Sequence, residues 1–129
     1  MAKSIVELAV ENFSNGFSCS ESIVQAASEC GLCDESLVSV ATSFSGGMGS
    51  GCLCGAISGA QMVIGSEHGR EGTGMARQKA AKLVYEFQKK HKVTCCRILT
   101  KGLEFGSPER KEHCKAMVQT AAEILEEIF

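Results

Sequence analysis

The sequence predicts an all-α protein, a compact single-domain bundle of about five longer helices with shorter ones between them. Three observations carry that expectation. Apolar residues recur three and four apart along most of the chain, and no strand alternation of useful length interrupts them. Helix-boundary residues frame the periodic segments, with Ser, Thr or Asp before them and Gly after. Proline occurs once, among abundant Ala, Glu, Lys and Leu. A chain of 129 residues has room for one core, not two, and shows neither repeat nor linker, so residues 1–129 form one domain.

The first helix spans Ser4 to Ser14, with Ile5, Leu8, Ala9 and Phe13 as its apolar stripe and Gly16 as its stop. The second opens with Ser18-Cys19-Ser20-Glu21. This is a capping box: Ser18 is the N-cap, Glu21 returns the bond, and Cys19 is the first helical residue. Its stripe is Ile23, Ala26, Ala27 and Cys30, and Gly31 ends it. A short third helix runs from Asp34 as N-cap to about Ser43, with Leu37, Val38, Ala41 and Phe44 inward.

Gly46-Gly47-Met48-Gly49-Ser50-Gly51 then forms a glycine-rich loop. A loop of this kind before a helix suggests an anion cradle. It lacks the Lys-Ser/Thr of a P-loop and has no strand before it, so it reads as a hinge or close-packed turn. In one variant of that reading its N–H groups help a thiolate at Cys54.

The fourth helix starts near Cys52 and ends at Gly65. Gly55 and Gly59 are four apart, as are Ala56 and Ala60, which leaves a smooth face for a neighbouring backbone. Interior glycines each cost about 1 kcal/mol relative to alanine, so a tightly packed central helix is expected to offset them. A polar loop, Ser66 to Gly72, follows. The fifth helix runs from Thr73 as N-cap to about Lys92, with Ala76, Ala80, Leu83, Val84 and Phe87 inward. Lys89, Lys90, His91 and Lys92 crowd its end, where the helix dipole favours cations, and read as a solvated cap. Thr94 caps a short helix from Cys95 to Lys101 that Gly102 ends. The last helix begins at Ser107-Pro108, an N-cap followed by proline at the first position. Cys114, Met117, Val118, Ala121, Ala122, Leu125 and Ile128 form its stripe.

Composition excludes several function classes. A net charge of −2 argues against a general nucleic-acid binder. The charge is uneven: residues 1–65 carry one base and six acids, and the remainder carries the other twelve bases and nine acids. No signal peptide is visible and no apolar run reaches the length of a membrane span, so no membrane association is expected. The expected compartment is a reducing cytoplasm. There, eight cysteines point to redox chemistry or metal binding more than to structural disulfides.

Cys19, Cys54 and Cys96 each fall in the expected first turn of a helix, where partial positive charge favours a thiolate. Helix geometry sorts the remainder. Cys19 and Cys30 lie roughly 16 Å apart along one helix and cannot share a small site. Cys30 and Cys33 form a CxxC without βαβ context, and Cys30 sits at the wrong helix end for activation, so they read as ordinary thiols. Cys52 diverges from Cys54, and Cys95 from Cys96. One candidate set is therefore Cys19, Cys54, Cys96 and Cys114, single cysteines from four helices. Cys30, Cys33, Cys52 and Cys95 flank it. His68, His91 and His113 are scattered, and His113 points away from the neighbouring Cys114.

In these residues the chain resembles the C_GCAxxG_C_C family of putative redox-active proteins, named for a Cys, a CGAxxG-type element, a Cys and a Cys. The matching segments are Phe17-Ser18-Cys19-Ser20, Cys54-Gly55-Ala56-Ile57-Ser58-Gly59, Cys96-Arg97-Ile98-Leu99, and Cys114. Their order and spacing cover essentially the whole chain, and the other four cysteines fall outside the pattern. The resemblance implies a redox role, itself inferred from cysteines, and supplies no substrate.

The expected function is thiol–disulfide exchange at Cys19, Cys54, Cys96 and Cys114, an oxidoreductase-like activity. One helix-start thiolate attacks, Cys54 or Cys19, and a neighbour resolves the mixed disulfide. A redox partner protein or a small thiol would be its counterpart. The alternative is a metal module in which the same four sulfurs hold an iron–sulfur cluster or zinc. Zinc-finger spacing is absent, since only one CxxC occurs. A third reading makes the cysteines inert core filler. The small-residue face of the fourth helix and the apolar last helix suit either a homodimer or the monomer's own core.

Overall fold

The computed structural model describes residues 3–70 and 73–129. Its elements are α1 (Ile5–Ser14), α2 (Cys19–Glu29), α3 (Leu37–Ala41), α4 (Gly55–His68), α5 (Thr73–His91), α6 (Cys96–Leu99) and α7 (Pro108–Ile128). Five are long and two are single turns, and no strand occurs among the described residues. The all-α expectation holds.

Local capping sets several boundaries as the sequence predicts. The Ser18 hydroxyl accepts from the Glu21 N–H and the Glu21 carboxylate accepts from the Ser18 N–H, so the capping box closes and α2 begins at Cys19. Ser4 and Glu7 form a second box at the head of α1. Ser107 caps α7 ahead of Pro108.

Helix α4 packs chiefly against α2, while α1 lies against α2 and α7. The small residues of α4 explain its central position. A Cβ on Gly59 would sit 2.7 Å from the Ser20 carbonyl oxygen, so only glycine lets the two backbones approach this closely. Ile23, Val24, Ile57, Val63, Ile64, Leu83, Phe87, Val118 and Leu125 fill the core that forms around this contact.

Several boundaries depart from the sequence reading. Asp34 does not cap α3; its carboxylate accepts from the Ser36 N–H in a turn, and α3 is only five residues long before a 3₁₀ turn at Thr42–Phe44. Helix α4 starts at Gly55, not Cys52, because Leu53 pairs with Cys95 in an isolated antiparallel bridge that holds the chain extended. It also continues past Gly65 to His68, which shortens the expected polar loop. Gly69 and Arg70 follow as a turn, and residues 71 and 72 of that loop, with the Thr73 side chain proposed as a cap, lie outside the described residues. Helix α5 ends at His91, and Lys92 takes a left-handed conformation. Helix α6 begins at Cys96 with Cys95 as its N-cap, so Thr94 is not its cap. Instead, the Thr94 carbonyl accepts from the Cys54 N–H at 2.8 Å. Cys30 falls just past the end of α2 and is exposed, not part of the buried stripe. No helix among the described residues is long and apolar enough to cross a membrane.

Candidate functional site

The four cysteines of the candidate set sit on four different helical segments. Cys19 is the first residue of α2, Cys54 the N-cap of α4, Cys96 the first residue of α6, and Cys114 lies inside α7. Two backbone arrangements bring them together. At one, Gly55 meets the head of α2: a Cβ there would sit 3.3 Å from the Cys19 Cβ and 3.2 Å from the Phe44 carbonyl oxygen. At the other, the Leu53–Cys95 bridge and a bond from the Cys96 N–H to the Cys52 carbonyl tie the chain before α4 to the start of α6. Gly47 closes that junction. Its φ is +65°, and a Cβ would lie 2.5 Å from the Cys52 nitrogen and 2.8 Å from the Cys96 Cβ. The glycine-rich segment is therefore a turn that is close-packed at Gly47, while Gly46 and Gly49 face open space.

All four cysteines line one cavity of about 930 Å³. Its apolar wall includes Phe13, Phe17, Phe105 and Met117, and three cations join it, Arg97, Arg110 and Lys111. Cys54 and Cys96 are buried, at 4% and 8% exposure, while Cys19 and Cys114 are half-buried. All eight cysteines are free thiols.

The four sulfurs are not equivalent. The Cys19 thiol donates a hydrogen bond to the Cys114 sulfur, which favours the Cys114 thiolate and disfavours that of Cys19. The Cys114 thiol is brought down to about 6 by this bond first, with the nearby Arg110 and His113 adding to it against the effect of burial. Cys19 moves well above the usual thiol value, driven by the same bond and by burial. Burial pushes Cys54 up to about 11, and the N–H groups of Ala56 and Ile57 oppose it only partly. Those N–H groups belong to α4 itself, so the glycine-rich turn is not what favours a Cys54 thiolate. Burial raises Cys96 too, against the opposing pull of Arg110, whose Nη2 lies 4.0 Å from the Cys96 sulfur.

The position at a helix start, which pointed to Cys54 or Cys19 as the attacking sulfur, is thus outweighed at Cys54 by desolvation and at Cys19 by the interaction with Cys114 and by desolvation. A helix dipole contributes up to about 1 kcal/mol at such sites, less than one pKa unit. The ionisable sulfur is Cys114, which no helix start assists.

The other four cysteines stand apart from this cavity wall. Cys30 and Cys52 are exposed. The Cys33 thiol donates to the Val24 carbonyl at 3.6 Å, and the Cys95 thiol to the Gly51 carbonyl at 3.1 Å. His113 is exposed, with its Nε2 2.6 Å from the Leu99 carbonyl oxygen. The cavity's cations were missed in the sequence, although one signal was there: Arg110 precedes Cys114 by four residues, the spacing that stacks side chains on one helix face. Among the described residues, no group of three or more His, Cys, Asp or Glu side chains is arranged to hold a metal ion. The four sulfurs line a common space without closing on one ion, so the residues present do not fit a single zinc, which needs its four ligands at about 2.3 Å from one centre.

Fold and cavity together define a small helical protein that gathers four thiols, each from a separate segment, around one recess. The chain belongs to the C_GCAxxG_C_C family: the family model described as "Putative redox-active protein (C_GCAxxG_C_C)" matches residues 17–128. No curated protein and no solved structure matches it.

Proposed function

We propose that this protein carries out thiol–disulfide exchange, with Cys114 as the attacking sulfur and Cys19 as the resolving one. The observation that carries the reading is that Cys19 and Cys114 line the same cavity wall, where the Cys19 side chain favours the Cys114 thiolate. It sets a thiolate and a neutral thiol on one wall, the two reactants that disulfide formation needs. Arg110 supplies positive charge beside the thiolate.

In the first step the Cys114 thiolate attacks one sulfur of a disulfide. A mixed disulfide forms, and the other sulfur leaves as a thiolate that takes the Cys19 proton. In the second step the Cys19 sulfur attacks Cys114 and expels the remaining thiolate, which is protonated from water. The protein's dithiol is oxidised by two electrons, and the disulfide is reduced to two thiols. The sulfurs close to about 2.05 Å in the product. Cys54 and Cys96, kept neutral by burial, flank the pair as the remaining members of the site.

The test is to oxidise the reduced protein with a small disulfide and map its bridges by peptide mass spectrometry. The expected product has two fewer thiols and a Cys19–Cys114 bridge. Cys19→Ser should accumulate a mixed disulfide on Cys114, and Cys114→Ser should remain largely reduced. Thiols that stay unreactive, or a first bridge between other cysteines, would overturn the assignment.

A further inference from the structure

The charge around the four sulfurs is one-sided. Arg97, Arg110 and Lys111 line the cavity, and among the described residues no Asp or Glu does. This is unexpected in a chain with 15 acids and 13 bases. None of the three cations is in an ion pair among the described residues; the salt bridges lie elsewhere, at Lys3, Lys89 and Lys90. Arg97 is instead held in place by its bond to the Ser50 carbonyl at 2.9 Å. Arg110 rests on the Phe105 ring, 5.0 Å from its centroid. Arg97 is thus positioned by a neutral partner, while Arg110 also faces the Cys114 thiolate it favours, so three cations share the cavity with one anionic sulfur and the net charge stays positive. Positive charge in a recess with low-dielectric walls concentrates its field and raises the local concentration of anions. A guanidinium also matches a carboxylate geometrically, through paired N–H donors. A cavity of about 930 Å³ is of the size that encloses a small molecule. Its apolar wall at Phe13, Phe17 and Met117 suits methylene groups.

We propose that the cavity takes a low-molecular-weight disulfide bearing carboxylates, whose sulfurs reach Cys114 while its anionic ends meet Arg97, Arg110 and Lys111. This rests on the thiol–disulfide reading above and names the substrate class for that same site. The exchange is the two-step reaction already described, with both leaving thiolates carrying carboxylate groups.

Charge on the substrate is the variable that tests it. Dithiodipropionate, hydroxyethyl disulfide and cystamine are close in size and are anionic, neutral and cationic. A bare thiolate repels the anionic member, so without the cavity the rates rise from dithiodipropionate to cystamine. With it, stopped-flow oxidation of the reduced protein should show the reverse order, with dithiodipropionate about tenfold or more faster than cystamine. The ratio should shrink at high salt and in an Arg97→Gln/Lys111→Gln double variant. Suberate, a dicarboxylate of the same length without sulfur, should slow dithiodipropionate competitively and shift the amide resonances of cavity residues. Equal rates for the three disulfides, or cystamine fastest, with the Cys19–Cys114 bridge still forming, would overturn the anionic substrate and leave the exchange chemistry standing. Suberate binding to a protein that no disulfide oxidises would overturn the exchange reading and leave the cavity's preference for dicarboxylates standing. Absence of both would overturn the two together.

Discussion

Cys19 at the head of α2 acts on Cys114 in the second turn of α7 as a hydrogen-bond donor, favouring the Cys114 thiolate and disfavouring its own. That direction makes two chemically identical groups unlike. The donor must keep its proton for the bond to exist, and the acceptor gains most when it has none. Arg110, on the same helix as Cys114, adds to the asymmetry.

Site-resolved alkylation should therefore single out Cys114. As pH rises through about 6, the Cys114 thiol becomes thiolate and its rate with iodoacetamide should climb, while Cys54, pushed up to about 11 by burial, stays slow. Arg110→Gln removes a charge that favours the thiolate and should move the Cys114 midpoint upward. Peptide mass spectrometry across a pH series measures both. A faster Cys54 at neutral pH, or an unmoved midpoint in the variant, would count against the assigned polarity.

Two glycines of α4 should respond to the same substitution with opposite sign. A Cβ on Gly59 would lie 2.7 Å from the Ser20 carbonyl oxygen, a backbone atom that moves only if α2 moves. Gly59→Ala should lower stability by about 1–3 kcal/mol. Gly65 is exposed with nothing within 4 Å, so Gly65→Ala should raise stability by about 0.5–1 kcal/mol through helix propensity. Urea midpoints at constant m-value compare the two. Equal losses would mean that close backbone approach is not what Gly59 provides.

The turn before α4 gives a similar contrast. Gly46 and Gly47 both have positive φ, at 62° and 65°. A Cβ on Gly46 meets open space, while one on Gly47 collides with Cys52 and Cys96. Gly46→Ala should cost about 1–2 kcal/mol from left-handed strain alone. Gly47→Ala should cost more and push α6 outward, so that the buried Cys96 thiol becomes accessible to dithionitrobenzoate. If Cys96 stays protected in that variant, the turn is not what fixes its position.

What could be read in the sequence follows the range of the forces involved. Ser18 with Glu21 and Ser107 with Pro108 act within one turn, so α2 and α7 began where expected. The start of α4 was misplaced because the extended Cys52–Cys54 segment is held by Cys95 and Thr94, some forty residues away in sequence. Gly65 was mistaken for a stop, although an isolated glycine in a helix costs only about 1 kcal/mol and does not end it. Grouping the cysteines by helix face identified the four sulfurs that line the cavity. Their order of acidity was out of reach, because desolvation and the Cys19–Cys114 bond exist only after α2 and α7 meet. Arg97 and Lys111 were equally hidden, since nothing local marks a lysine or arginine as facing a cavity.

The thiols should also shape the pH dependence of folding. Cys114 has a folded value of about 6, below its ordinary 9.0, so it contributes stability that is present above 9.0 and lost as pH falls through about 6. Cys19 and Cys54 are raised, so their contribution is present below 9.0 and lost as pH climbs through their folded values. For the reduced protein, stability should rise from about pH 7 to a maximum near the ordinary thiol value and then decline. His91, which burial lowers, adds a further loss below its ordinary 6.5, so the thiol signature is read above that point. Cys114→Ser should abolish the rising limb and keep the decline, because Cys54 remains buried. Urea titrations of both proteins under reductant supply the curves. A wild-type curve that falls steadily from neutral pH would show that Cys114 does not ionise ahead of the other thiols.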